Sequence, residues 1–150
     1  MLTVIIDARN ERERLPSLLG QLTAGAVDGL VRQVIIVAGV GQADIADLCE
    51  ETGADLQPTI EAAAAAATAR ADWLVVLPAS FRLRDGWIGS LTGHLARGGQ
   101  AALVLGLSDG GLFASRDDGV LVERSRVTGN QGTDLKRLRR DLGFNPRRTG

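Results

Sequence analysis

The residues best placed to do chemistry fall in three short segments, Asp7–Glu13, Ala38–Asp44 and Pro78–Arg84, each directly after an apolar run. Ala8, Arg9, Asn10 and Glu11 combine one small side chain with three hydrogen-bonding ones, a mixture that suits a nucleobase or a ribose. The loop Gly39-Val40-Gly41-Gln42 precedes a helical pattern. Its backbone N–H groups could form a modest anion site, or the loop could be a plain tight turn. It is not a dinucleotide fingerprint, because Gln42, Ala43 and Asp44 follow without a third glycine, and it lacks the Gly-Lys-Ser/Thr ending of a Walker loop. His94 is the single histidine and lies inside a helical pattern, where a solvent-facing or packing role explains it. Cys49, the single cysteine, excludes a disulfide within the chain and reads as a small buried side chain. Asp44 and Asp85 read as a cap and a loop residue.

The elements that must position these segments alternate along the chain. Leu2–Ile6 is a β-prone apolar run, and Leu15, Leu18, Leu19 and Leu22 then repeat at helical spacing. Pro16 suits the first turn of that helix, and Gly25 and Gly29 mark its end. Val34–Val37 is a second strand; Asp44 is expected to cap a helix carrying Ile45, Leu48 and Cys49 and closed by Gly53. Ala54–Gln57 is briefly extended. The alanine-rich stretch 61–71 predicts a helix whose small side chains allow close approach. Trp73–Leu77 is a third strong strand, a helix follows over Trp87–Ala96, Gly98-Gly99 stops it, and Ala101–Leu107 is a further strand. Beyond that, Leu112–Ser115 and Gly119–Glu123 read as short strands, Thr133–Leu142 as a helix and Asn145–Gly150 as a frayed end.

Strands and helices in alternation, with continuously apolar strands, imply a mainly parallel sheet covered on both faces. Ligands of such sheets sit beyond the carboxyl ends of the strands, which is where the three segments lie. A chain of 150 residues suits one domain with a real core, and 45% hydrophobic residues exclude a disordered composition. Trp73, Trp87, Phe81, Phe113 and Phe144 are the only aromatics, which argues against a ring-stacking surface for carbohydrate or single-stranded nucleic acid. A formal net charge of -1 points to no polyanionic partner overall. The segment Lys136–Arg148 is nevertheless basic, and could meet phosphate or a membrane surface or be a solvated face. No signal-like or membrane-spanning apolar stretch is visible, so a cytoplasmic location is expected.

The run Leu2-Thr3-Val4-Ile5-Ile6-Asp7-Ala8-Arg9-Asn10-Glu11, followed by Leu15, Leu18 and Leu19, resembles the opening of family 2 glycosyltransferases of the GT-A fold. There an apolar strand leads into Pro-Ala-Arg/Tyr-Asn-Glu, so Asp7 stands where proline is usual. Val34–Val37 is similar to the family's second strand, and Gly53-Ala54 to the pair that precedes its third. Ala71–Leu77 resembles the approach to the metal-binding Asp-x-Asp position. The likeness covers about residues 1–107, with a fainter one over Gly119–Gly143 to the acceptor-side strand and its arginine-rich helix.

The resemblance implies a single domain over residues 1–150, with a nucleotide-binding-like core at 1–107 and a reduced acceptor-side region at 108–150. The fold implied is a three-layer α/β/α arrangement on a mainly parallel, Rossmann-like sheet of the nucleotide-diphospho-sugar transferase type. The departures fall where the family does its chemistry. Ala38 replaces the aspartate that ends the second strand, Pro78-Ala79-Ser80 replaces the Asp-x-Asp region, and the carboxylates of the general base are missing near Gln131-Gly132. Serine and alanine are poor ligands for Mg²⁺ or Mn²⁺, so no metal and no cofactor are expected. Asp134 is the remaining candidate for a displaced base, or it serves the start of its own helix. The ligand contacts implied are Ala8, Arg9, Asn10 and Glu11, with Gly39, Gly41, Ser80, Arg82 and Arg84 toward a diphosphate, where arginine could stand in for a metal. The expectation is a transferase-like domain without metal-dependent catalysis that binds a nucleotide or nucleotide-sugar weakly or serves regulation. The alternatives are an active transferase with non-standard residues and a ligand-free protein-interaction module. A protein partner or self-association, and peripheral membrane contact through the basic segment, are compatible with either.

Overall fold

The computed structural model describes residues 1–9, 12–39, 42–67, 71–107, 119–125 and 147–149. The first strand, β1 (Leu2–Asp7), is buried along almost its whole length, as its unbroken apolar run requires. Helix α1 (Leu15–Asp28) buries Leu15, Leu18, Leu19 and Leu22, the four leucines at helical spacing, and carries Pro16 in its first turn. Full burial of each leucine contributes about 1.5–3 kcal/mol, so this face alone ties the helix to the sheet. The helix does not end at Gly25. It runs on to Asp28, and Gly29, with φ 90°, provides the left-handed turn that terminates it. Gly25 is buried inside the helix because a Cβ there would meet Trp87 and Val31.

Strand β2 (Val31–Val37) begins three residues before the apolar run, extended by Val31, Arg32 and Gln33. Helix α2 (Ala43–Thr52) buries Ile45 and Cys49 and ends at Gly53, again left-handed. The expected cap is corrected: Gln42 holds the N-cap position without a side-chain bond to the helix, and Asp44 lies in the first turn, its carboxylate paired with Arg12 at 3.0 Å. Strand β3 (Asp55–Gln57) is short, helix α3 (Ile60–Ala67) is built on the alanines, and Ala71 lies outside it. Strand β4 (Trp73–Pro78) and helix α4 (Trp87–Ala96) fall where the pattern placed them. Strand β5 (Ala102–Val104) is shorter than its apolar run, because Gly106 leaves it to bridge Leu83. Strand β6 (Gly119–Glu123) follows.

The expected fraying at the end of the chain is also corrected. Arg147–Thr149 forms β7, parallel to β5, and Leu105 N donates to Thr149 O at 2.7 Å. The predicted strand Leu112–Ser115 and helix Thr133–Leu142 lie outside the described residues.

Among the described residues one sheet of seven strands results, in the order β3-β2-β1-β4-β6-β5-β7. Of these described strands only β6 runs against the others, inserted between β4 and β5. Two cores flank the sheet. On one face α1, α2 and α4 pack their leucines, Ile45 and Trp87 on Leu2, Val4, Ile6, Val75 and Leu77. On the other, Ala63 and Ala67 of α3 pack on Ile5, Ile35, Val37, Leu74 and Val76. The three-layer α/β/α architecture with a mostly parallel sheet is therefore the observed one. Across the α3 face runs a polar row. Buried Thr3 donates to Gln33 Oε1 at 3.4 Å, and Gln33 Nε2 donates to Asp55 Oδ2 at 2.6 Å.

Candidate functional site

The carboxyl ends of β2, β1 and β4 lie side by side, with Val37, Asp7 and Pro78 in register. Backbone bonds hold the first residues beyond them together. Ala8 N donates to Val37 O at 2.9 Å, Ala79 N to Asp7 O at 3.1 Å and Ala38 N to Gln57 O at 3.2 Å. Ala8, Ala38 and Ala79 are all buried, so three methyl groups and no carboxylate lie directly beyond these strands.

Arg9 turns back on the strand it leaves. Its Nε and Nη2 donate to Asp7 Oδ1 and Oδ2 at 2.9 and 2.8 Å, and its backbone N donates to Oδ1 at 3.2 Å. Burial pushes the Asp7 carboxyl up, but the hydrogen bonds and charge of Arg9 outweigh it and hold the carboxyl below its ordinary value. On the neighbouring loop, Gly39 N donates to Gln42 Oε1 at 2.9 Å, so a side chain of the protein already occupies one N–H of the expected anion site.

The segment after β4 is tied down at several points. Phe81 N donates to Pro78 O at 3.1 Å, and Leu107 N to Arg82 O at 2.9 Å. Buried Leu83 exchanges two bonds with the Gln21 side chain of α1, at 3.1 and 3.2 Å. Arg84 Nε donates to Gly106 O at 3.1 Å, and a Cβ on Gly106 would lie 2.8 Å from the Phe81 ring and 3.0 Å from Arg82 O. The glycine is thus required for the close pass of the two chains. Ser80 and Arg82 are half-buried and Arg84 is exposed.

Of the expected contacts, the structure brings Ala8, Arg9, Gly39 and Ser80 to one edge of the sheet and sets Arg82 and Arg84 on the loop that continues from it. Asn10, Glu11, Gly41 and Asp134 lie outside the described residues. Sequence reasoning missed the partnership of Asp7 with Arg9, for which Asp-x-Arg immediately after a strand was the available signal. It also missed Gln21 of α1 as the partner of Leu83. His94 Nε2 lies 2.8 Å from Gln100 O and closes the turn after α4, a packing role. Cys49 is buried, where desolvation and the charge of Asp55 push its thiol up.

A divalent cation of the Mg²⁺ or Mn²⁺ kind takes several oxygen ligands, mostly from carboxylates. Ser80 offers one hydroxyl at the end of β4, and the Asp7 carboxylate is engaged by Arg9. Among the described residues no group of three or more His, Cys, Asp or Glu is placed to hold a metal. The described residues at this edge therefore do not fit such an ion. A separate groove of about 500 Å³ lies between α1 and α2 over the first half of β2, lined by Leu19, Thr23, Val34, Leu48 and Thr52, and none of the three segments reaches it. No described helix is long and apolar enough to cross a membrane.

The three-layer architecture with its mostly parallel sheet is that of the GT-A fold seen in nucleotide-diphospho-sugar transferases. The particular structures it matches include glucosyl-3-phosphoglycerate synthase from Mycobacterium tuberculosis, in complex with Mn²⁺, UDP and glucosyl-3-phosphoglycerate. That match has a TM-score of 0.67 at 17% identity and covers 95% of this chain and 64% of the enzyme. The 4-diphosphocytidyl-2C-methyl-D-erythritol synthase of Anaerococcus prevotii matches with a TM-score of 0.61 at 12% identity, over 99% of this chain and 86% of that one. Mannosyl-3-phosphoglycerate synthase from Rubrobacter xylanophilus matches at 0.60 and 13%, over 83% and 54%. The chain thus spans just under two thirds of the mycobacterial enzyme's length. No protein-family model and no curated protein matches the sequence.

Proposed function

We propose that the chain is a single family 2 glycosyltransferase-like domain that binds a nucleoside diphosphate or its sugar conjugate weakly and without a metal, in a regulatory or interaction role. The observation that carries the reading is the end of β4. Pro78-Ala79-Ser80 stands at the edge of a transferase-like sheet and supplies no carboxylate. A diphosphate leaving group needs its developing charge neutralised, and a serine hydroxyl beside a proline and an alanine does not do this. Binding makes a smaller demand. Ala8 and Arg9 at the end of β1 suit the nucleoside, with Asn10 and Glu11 as further contacts. Gly39, Gly41, Ser80, Arg82 and Arg84 are the residues proposed toward the diphosphate, where guanidinium is the usual metal-free partner of phosphate. The likeness to an enzyme crystallised with UDP supports this choice of ligand class.

Calorimetric titration with UDP, GDP and their common sugar conjugates, in Mn²⁺ and in chelator, tests the reading. The expected result is binding of the same strength in both, without turnover of the sugar conjugate. Binding that appears only with Mn²⁺ would overturn the metal-free reading. Heat-silent titrations throughout would overturn nucleotide binding itself.

A further inference from the structure

Asp7 occupies the middle of the ligand edge, in register with Val37 of β2 on one side and Pro78 of β4 on the other. Arg9 engages it through the Nε/Nη2 edge, the same fork that makes bidentate contacts with phosphate. A phosphate at this position would have to displace the carboxylate and would then face its negative charge. The carboxylate, in contrast, keeps capacity for a donor. From the described residues Oδ1 takes two bonds and Oδ2 one, whereas an ionised carboxylate has about four acceptor sites. The Asp7 side chain is 19% exposed, so part of it is open to solvent.

We infer that Asp7 is a specificity-determining residue. It withholds the Arg9 fork from phosphate and turns this edge of the site toward an uncharged group bearing a hydroxyl or N–H donor. The inference rests on the nucleotide reading above and assigns the nucleoside end of the ligand to the Asp7–Arg9 pair. The diphosphate then lies away from β1, toward the loop carrying Arg82 and Arg84.

The test is calorimetric titration of the full chain and of Asp7→Asn with uridine, UDP and inorganic pyrophosphate. Asparagine keeps an oxygen for the Arg9 backbone N–H but releases the guanidinium, so affinity changes in opposite directions. Uridine binding falls about tenfold with the loss of a charged acceptor, while pyrophosphate binding rises about threefold or more. A loosened loop would weaken both ligands, and an irrelevant residue would change neither. Either result overturns the inference and leaves nucleotide binding standing. Wild-type protein that binds neither uridine nor UDP would overturn both together. Should Asp7→Asn fail to fold, Arg9→Gln serves instead. It leaves a bare carboxylate, so uridine affinity stays within about threefold while pyrophosphate binding weakens, and loss of uridine binding there would overturn the assignment.

Discussion

Replacing Gly25 with alanine should destabilise this protein, although glycine to alanine inside a helix ordinarily does the opposite. Alanine is favoured over glycine in a helix interior by about 1 kcal/mol. At Gly20, also on α1, nothing lies within 4 Å of an added Cβ, so Gly20→Ala realises that gain. At Gly25 the new methyl would overlap Trp87 Cη2 and lie 2.8 Å from Val31 Cγ2. Trp87 cannot yield cheaply, because it is buried at the start of α4. Overpacking of this kind costs about 1–3 kcal/mol, which leaves Gly25→Ala about 0–2 kcal/mol less stable than wild type. The two variants make the same chemical change in the same helix, so the propensity gain cancels between them. Their difference is the clash alone, about 1–3 kcal/mol. In urea unfolding followed by circular dichroism, with a slope of about 2 kcal/mol/M, the midpoints should separate by about 0.5–1.5 M. A Gly25→Ala midpoint equal to or above that of Gly20→Ala would refute the packing argument. Trp87→Phe in the Gly25→Ala background should recover part of the loss, and strict additivity of the two changes would count against direct contact.

Gln21→Ala removes both bonds to the buried Leu83 backbone and should cost about 2 kcal/mol in the same assay, with nucleotide affinity falling as the loop before α4 loosens. Asp7→Asn should lower stability at neutral pH by up to about 1 kcal/mol. Because the folded-state carboxyl of Asp7 lies below its unfolded value, this contribution is present above about pH 3.9 and lost as pH falls through the lower folded value. The gap between wild type and variant should therefore close in acid, and a gap that widened there would contradict the Arg9 contact. Arg12→Ala breaks an exposed pair with Asp44 and should move the midpoint by less than about 0.5 kcal/mol equivalent; a larger shift would mean the pair does more than its exposure implies.

The sheet and its helices were legible where one physical signal acted alone. Leu15, Leu18, Leu19 and Leu22 announce α1 because burial of one face fixes their period, and the unbroken runs of β1 and β4 follow from coverage on both sides. The sequence was silent where distant partners decide. Gln33 interrupts an apolar strand, and its place in β2 makes sense only with Thr3 on one side and Asp55 on the other. Arg147–Thr149 has no apolar pattern, and it is a strand because the free edge of β5 offers backbone partners. Gly25 reads as a helix end until the Trp87 ring appears beside it. At the candidate site, the rule that ligands gather beyond strand ends picked out segments whose first residues the sheet sets side by side. It could not show that Arg9 folds back on Asp7, nor that Gln42 takes the Gly39 N–H, since both are choices made by side chains within a few residues.

The last strand also bears on how the molecule behaves in a crowded solution. An open sheet edge is a template on which further chains can polymerise, and proteins blunt it with short, charged strands. Here β7 supplies such a terminus: it spans Arg147–Thr149, two of its residues are arginines, and Thr149 Oγ1 is fastened to Ser90 O of α4 at 3.3 Å. It places a brief cationic rung where β5 would otherwise be the outermost strand. Resistance to edge-to-edge association is therefore expected to depend partly on these three residues.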